Sequence, residues 1–238
     1  MNGDADVAAA ARLLAVPARA ELALALMDGV SLPAGELAAR AGIAPSTASG
    51  HLTRLVEGGL LATRRHGRHR YFRLAGPEVA HAVEALAAVA PQSPVRSLRE
   101  ATRGEQLRLA RTCYDHLAGH LGVTVARSLE RERALVRRDG TFVLGPNAGV
   151  LMRRLGIDLA GLERRPRPLV RGCLDWSERE LHVAGGLGAA IAGRFLELGW
   201  IRRRDGNRSV EITPAGAAAL DAELGIELGG AGLRSAVG

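Results

Sequence analysis

"ELAARAGIAPSTASGHLTRLVEGGLLATRRHGRHRYFRL" runs from Glu36 to Leu74 and carries three signals in a fixed order. A short helix with Leu37 inward is stopped by Gly42, and Pro45 then takes the first position of a second helix. In that second helix Leu52, Leu55 and Val56 form the buried stripe, which leaves Ser46, Thr47, Ser49, Gly50 and Arg54 outside. Two helices joined by a tight turn, the second short-side-chained at its N-terminal end, predict a helix-turn-helix. Small hydroxyl side chains let such a helix enter a major groove and reach base edges or phosphates. The third signal is a hairpin. Arg64, Arg65, Arg68, Arg70 and Arg73, with His66 and His69, flank Gly67, and no acid occurs between Glu57 and Glu78. An arginine-tipped hairpin beside a groove-reading helix is placed to hold phosphates or probe the minor groove.

This combination resembles the ArsR-type winged helix-turn-helix transcriptional regulators, through the "ELA" helix, "S-x-H-L-x-x-L" in the recognition helix, the following "GL", and "GR-x-R-Y-x-L" in the wing. The resemblance covers roughly residues 8–90. It implies a dimeric repressor that binds a palindromic double-stranded operator and leaves it when an effector binds. Carried onto this sequence, the DNA-contact candidates are Ser46, Thr47, Ser49, His51, Arg54, Arg65, Arg68 and Arg70. The helix "PEVAHAVEALAAVA" puts Val79, Val83, Leu86 and Ala90 on one face, suited to the family's dimerising helix. Departures from the family are equally informative. The helix before the turn and the recognition helix lack cysteines, Arg54 and Gly58 stand where one metal-sensing branch has thiols, and Glu78, His81 and Glu84 lack the family's zinc-site spacing. Ala44 replaces the usual hydroxyl N-cap, a loss of roughly 1 kcal/mol to that helix. Any sensor is expected elsewhere.

N-terminal to this module, Val7 to Leu14 and Pro17 to Met27 are expected to be helical. Beyond it, residues 91–104 are expected to form a linker and residues 229–238 a flexible tail. Between them the chain writes one phrase twice. "CYDHLAGHLG" begins at Cys113 and "CLDWSERELHVAGGLG" at Cys173, and the two hold the only cysteines. Arg137-Arg138-Asp139-Gly140 answers Arg203-Arg204-Asp205-Gly206, and "LGIDL" (155–159) answers "LGIEL" (224–228). The expected fold is therefore mainly α with small β-hairpins: a winged helix-turn-helix (1–90), then two repeated helix–hairpin–helix units, each half of a winged helix (105–170 and 171–228). The first helices are expected over roughly 113–135 and 179–198, with a proline opening each unit's last helix. A longer branch of ArsR-like regulators resembles this arrangement.

If the copies pack about a pseudo-twofold axis, Cys113, Tyr114, Asp115, His116, Cys173, Asp175, Trp176 and His182 become effector-site candidates. Cys113 and His116, spaced i, i+3, with Cys173 and His182, are the metal candidates; thiolates with imidazoles suit Zn, Cd or Pb rather than Mg. A thiol redox pair and an organic effector, with Tyr114 and Trp176 as aromatic walls, are alternatives. The bland reading is that Ala118, Gly119, Gly122, Ala184, Gly185 and Gly188 only let helices approach closely. Arg202, Arg203, Arg204 and Arg208 are further phosphate-contact candidates.

Composition narrows the rest. The chain has 238 residues, 47% hydrophobic but only 3% aromatic, which predicts helices packed through Ala, Leu and Val. The net charge of +7 is consistent with an anionic partner, although all 32 basic side chains are arginine. Two cysteines make no disulfide framework, Asp4 and Asp6 spoil a signal peptide, and no apolar run spans a membrane, so a cytoplasmic protein without membrane partners is expected. No cofactor is required for the fold, and a divalent metal is a possible effector. A cysteine enzyme and a non-DNA winged-helix adaptor are the rival classes; no nucleophile elbow or phosphate loop accompanies the cysteines.

Overall fold

The computed structural model describes residues 4–91, 95 and 97–228; the expected tail (229–238) and part of the expected linker lie outside them. The chain divides into two compact units, Met1–Val83 and Glu84–Gly238.

The first unit opens with α1 (Val7–Leu14), capped by Asp6, and α2 (Pro17–Leu24), with its proline in the first turn. The helix-turn-helix follows as α3 (Ala34–Arg40) and α4 (Pro45–Glu57). Leu22, Leu26, Leu37, Ala48, Leu52, Leu55, Leu61, Phe72 and Leu74 are all buried; each fully buried leucine contributes about 1.5–3 kcal/mol. Val56, expected in the stripe, is only half-buried. The wing is β2 (Leu61–His66) with β3 (His69–Leu74), antiparallel. A two-residue strand missing from the sequence reading, β1 (Leu32–Pro33), pairs with β3 and makes the sheet three-stranded, in the order β1-β3-β2. Helix α5 (Pro77–Val89) follows the wing.

The second unit begins within α5, at Glu84. Helix α6 (Leu98–Leu109), N-capped by Ser97, starts inside the stretch read as a linker. Then come hairpin β4 (Arg111–Cys113) and β5 (His116–Ala118), helix α7 (Gly119–Arg131), hairpin β6 (Leu135–Arg138) and β7 (Thr141–Leu144), and helices α8 (Ala148–Arg154) and α9 (Leu159–Glu163). After these lie hairpin β8 (Arg171–Leu174) and β9 (Leu181–Ala184), helix α10 (Gly185–Glu197), hairpin β10 (Ile201–Arg203) and β11 (Val210–Ile212), and α11 (Pro214–Leu224).

Two expectations are corrected here. Residues 116–118 and 181–184 are strands and 114–115 a turn, so the expected first helices over 113–135 and 179–198 begin only at Gly119 and Gly185, each preceded by a hairpin. Cys113 and His116 accordingly do not share a helical face; they oppose each other across β4 and β5. A proline opens α11, but α8 starts at Ala148, past Pro146. The Asp139-Gly140 turn forms as expected, with both residues left-handed (φ 49° and 74°), as a two-residue hairpin loop of this type needs.

One hydrophobic core joins Leu121, Val125 and Leu129 of α7 with Leu187, Ile191 and Phe195 of α10, and with Phe142 of β7. Helix α7 packs on β9 and α10 packs on β5, so each helix covers the other's hairpin. Close approach depends on glycine. A Cβ on Gly122 would lie 2.6 Å from the Leu117 carbonyl oxygen and 3.5 Å from the His182 Cβ, and one on Gly188 would collide with the Val183 oxygen and lie 3.1 Å from the His116 Cβ. Among the described residues no helix is long and apolar enough to cross a membrane.

Candidate functional site

The first candidate surface belongs to α4 and the wing. The buried stripe of α4 (Ala48, Leu52, Leu55) leaves Ser46, Thr47, Ser49 and Arg54 exposed and His51 half-buried. Ala44 caps the helix without any side-chain bond, so the first-turn amides have no hydroxyl partner there. In the wing, Gly67 takes the left-handed conformation (φ 57°) that lets two residues close the turn between His66 and His69. Arg65 lies directly opposite Arg70, and His66 opposite His69. Like charges facing each other across strands destabilise a hairpin. Arg64, Arg65, Arg68 and Arg70 are exposed and meet no carboxylate among the described residues. The Arg70 guanidinium carbon lies 4.9 Å from the centre of the Phe72 ring, so the charged head is held on the face of the wing.

The basic residues of the later hairpins are differently placed. Arg202 pairs with Glu211 at 3.1 Å, Arg137 with Glu130 at 3.2 Å, and Arg208 with the buried Glu84 at 2.9 Å. Arg208, a phosphate candidate in the sequence, is thus engaged inside the second unit.

The second candidate site lies where β4–β5 meets β8–β9. Cys113 opposes His116 and Cys173 opposes His182 in the two ladders. One ligand atom from each of these four residues falls within 4.8 Å of every other, and all four side chains are buried. The two imidazole rings lie 5.1 Å apart, tilted by 33°. A carboxylate stands behind each ring: Asp115 Oδ1 lies 3.2 Å from His116 Nδ1, and Asp175 Oδ2 lies 3.3 Å from His182 Nδ1. Those carboxylates are anchored in turn. Asp115 accepts from Arg167 at 2.8 Å, while Asp175 meets Arg111 at 3.0 Å and accepts from the Gly119 amide at 2.6 Å. Arg111, fully buried, also pairs with Glu84 at 3.0 Å and lies over Trp176 at 4.6 Å.

These contacts set the titration of the site. Burial works against the charged form of Asp175, but His182, Arg111, Ser177 and the Gly119 amide hold its carboxyl well below the usual range. Burial likewise lowers both imidazoles, yet Asp115 and Cys113 raise His116, and Asp175 and Cys113 raise His182, above the ordinary histidine value. The Cys113 thiol is pushed up to about 12, first by its hydrogen bond with the free thiol of Cys173 and then by burial.

Of the eight effector candidates, Cys113, His116, Cys173 and His182 converge, and Asp115 and Asp175 support them. Tyr114 occupies the tight turn with φ 63°, and Trp176 lies under the Arg111 guanidinium, outside the group of four. The interior space lined by Leu117, Gly122, Val125, Val183, Gly188 and Ile191 measures about 10 Å³, room for one water at most. Sequence reasoning missed Arg111 and Arg167. For Arg111 a signal existed: Arg-x-Cys-x-Asp is written twice, as Arg111-Cys113-Asp115 and Arg171-Cys173-Asp175. Nothing local marks Arg167.

Comparison with known proteins agrees with the geometry of the first unit. A family profile described as a helix-turn-helix domain matches residues 13–64. YdfF of Bacillus subtilis (strain 168), an uncharacterized HTH-type transcriptional regulator, is 42% identical over 223 residues, covering 94% of this chain and 99% of the relative. The chain belongs to the HTH-type transcriptional regulators. The HTH-type transcriptional regulator CmtR of Mycobacterium tuberculosis (strain ATCC 25618 / H37Rv) is 40% identical over 78 residues, 33% of this chain and 65% of CmtR. Among solved structures, the transcriptional repressor BigR from Xylella fastidiosa is 32% identical, covering 37% of this chain and 89% of that one, with a TM-score of 0.34.

Proposed function

We propose that this regulator is a homodimeric repressor that grips a palindromic duplex through α4 and the β2–β3 wing and releases it when an effector binds in the second unit. The observation that carries the DNA half is the Arg65–Arg70 pair, two guanidiniums opposed across a hairpin with no acidic partner among the described residues. Such a pair is a cost to the free protein and becomes an asset against a polyanion. In this reading Ser46, Thr47, Ser49 and His51 face the bases or position the helix, and Arg54, Arg65, Arg68 and Arg70 hold phosphate or minor groove. Residues 1–90 bind DNA and dimerise, with Val79, Leu86 and Ala90 contributing to the dimer face. Residues 91–104 connect, and 105–170 and 171–228 are duplicated sensing units. Support for the duplication comes from matched details: Arg111 opposes Ala118 as Arg171 opposes Ala184, Cys113 opposes His116 as Cys173 opposes His182, and Gly119 and Gly185 both start their helices with positive φ.

A thiol enzyme is disfavoured by the cysteine itself. A catalytic thiol is partly exposed and acidic, whereas Cys113 is fully buried and its thiol is raised.

The test is duplex binding as a function of salt, using DNA from immediately upstream of the chain's own gene. Replacing Arg68 and Arg70 together by alanine is expected to weaken binding and to reduce the slope of log K against log salt by about 2, since each phosphate contact contributes about 0.9. Unchanged affinity and slope would remove the wing from the interface.

A further inference from the structure

We infer that Cys113, His116, Cys173 and His182 form a closed, four-coordinate site for a thiophilic divalent ion of the zinc class, clasping hairpin β4–β5 to hairpin β8–β9. Four observations converge on it. The donors come as two sulfurs and two nitrogens, the set that favours Zn²⁺ or Cd²⁺ over Mg²⁺ or Ca²⁺. Their spacing is close to what the ion needs. Zn–S of ~2.3 Å and Zn–N of ~2.0–2.1 Å give tetrahedral edges of roughly 3.3–3.8 Å, so drawing in the widest separation, 4.8 Å, by about 1 Å closes the shell.

The second observation is orientation. Asp115 and Asp175 face the Nδ1 atoms, which leaves Nε2 as the nitrogen each ring offers. Carboxylates behind metal-bound imidazoles fix the tautomer and raise ligand basicity. Both ring nitrogens of His182 are buried; Nδ1 faces Asp175 at 3.3 Å, and Nε2 has no hydrogen-bond partner among the described residues, a costly arrangement for a polar atom.

Charge provides the third argument. Around the cluster the carboxylates of Asp115, Asp175 and Glu84 are matched by the guanidiniums of Arg167, Arg111 and Arg208. With the surroundings balanced, the buried cluster has to be neutral itself. Two thiolates and two neutral imidazoles around a divalent cation carry no net charge and satisfy that requirement.

Room is the fourth. The adjoining space of about 10 Å³ and the Gly122 and Gly188 contacts at the histidine Cβ atoms leave no place for an organic ligand or a substrate on the ion. A full protein shell without an open position is the pattern of structural and sensing sites, not of catalytic ones. The site stands on this geometry alone; only its regulatory consequence rests on the effector reading above.

The experiment uses the full chain, stripped of metal and kept reduced, titrated with Co²⁺ and then with Zn²⁺. One Co²⁺ per chain is expected, with thiolate-to-cobalt charge-transfer absorption and the intense visible bands of tetrahedral cobalt, both abolished when Zn²⁺ displaces it. Cys113→Ser with Cys173→Ser is expected to lose the charge-transfer band, and Asp175→Asn, which keeps every ligand, to weaken binding by about 10–100-fold. Should the double serine variant fail to fold, the wild-type melting temperature with and without equimolar Zn²⁺ still decides, a rise being expected. Folded, reduced wild-type chain that gives no charge-transfer band, or whose Cys113 and Cys173 are oxidised to a disulfide by added diamide as fast with excess Zn²⁺ as without it, would overturn the site. Duplex affinity is measured on the same samples. Tight metal binding with unaltered DNA affinity upholds the site and defeats only the effector reading.

Discussion

Glu84 is 1% exposed and would be an expensive charge were it alone. Burial raises its pKa, but Arg208 and Arg111, through charge and hydrogen bonds together, outweigh burial and hold the carboxyl below its ordinary 4.5. A depressed carboxylate stabilises the fold fully above its unfolded value, and that contribution is lost as pH falls through the depressed folded value. Glu84→Gln is expected to cost about 3–5 kcal/mol at pH 7, because it leaves two buried guanidiniums short of a countercharge. Urea denaturation at pH 7 and at several points below 4.5 checks this: the gap between wild type and variant should narrow only on the acid side. The residue-scale chemistry was partly legible. Both cysteines, both histidines and both aspartates could be singled out because the chain repeats them in order. Glu84 and Arg208 could not, since an ion pair spanning more than a hundred residues has no spacing to betray it.

At the scale of elements, α10 holds a contrast between two of its glycines. Gly188 faces the Val183 carbonyl and His116, whereas a Cβ on Gly193 would meet nothing within 4 Å. Gly193→Ala is expected to stabilise the chain by up to about 1 kcal/mol, through helix propensity and a less free unfolded chain. Gly188→Ala gains the same propensity but forces a steric shift, with a net destabilisation of about 1–3 kcal/mol expected. Thermal melts of both variants separate the two effects; equal shifts would mean that α10 does not rely on close approach to β5. The wing and α4 were readable because their signals are local: a proline at the helix start, an apolar stripe, a glycine between two strand-forming runs. Strands β5 and β9 fall inside the stretches expected to be helix because strands of three or four residues show no period-2 alternation when nearly every side chain is buried. The Cys113–His116 spacing of three then imitates a helical face, although a two-residue turn produces the same separation.

For the whole molecule, the exposed side of α5 bears on assembly. Val89 is 81% and Leu86 48% exposed, both apolar and on the helix that follows the wing. Leu86→Asp with Val89→Asp is expected to yield monomer in sedimentation and to weaken duplex binding at least tenfold, since one half-site contact is lost; helical content should hold, as neither side chain is buried. A variant that stays dimeric would move the interface away from α5. By itself, the sequence determined the helix-turn-helix, the arginine wing, the Asp-Gly turns and the list of residues worth watching, because each depends on interactions between near neighbours. Only the tertiary structure decided that the two Cys–His pairs meet. Helix α7 must cross over β9 and α10 over β5 before those pairs face one another, and that crossing is set by glycine-sized clearances and a shared core between segments far apart along the chain.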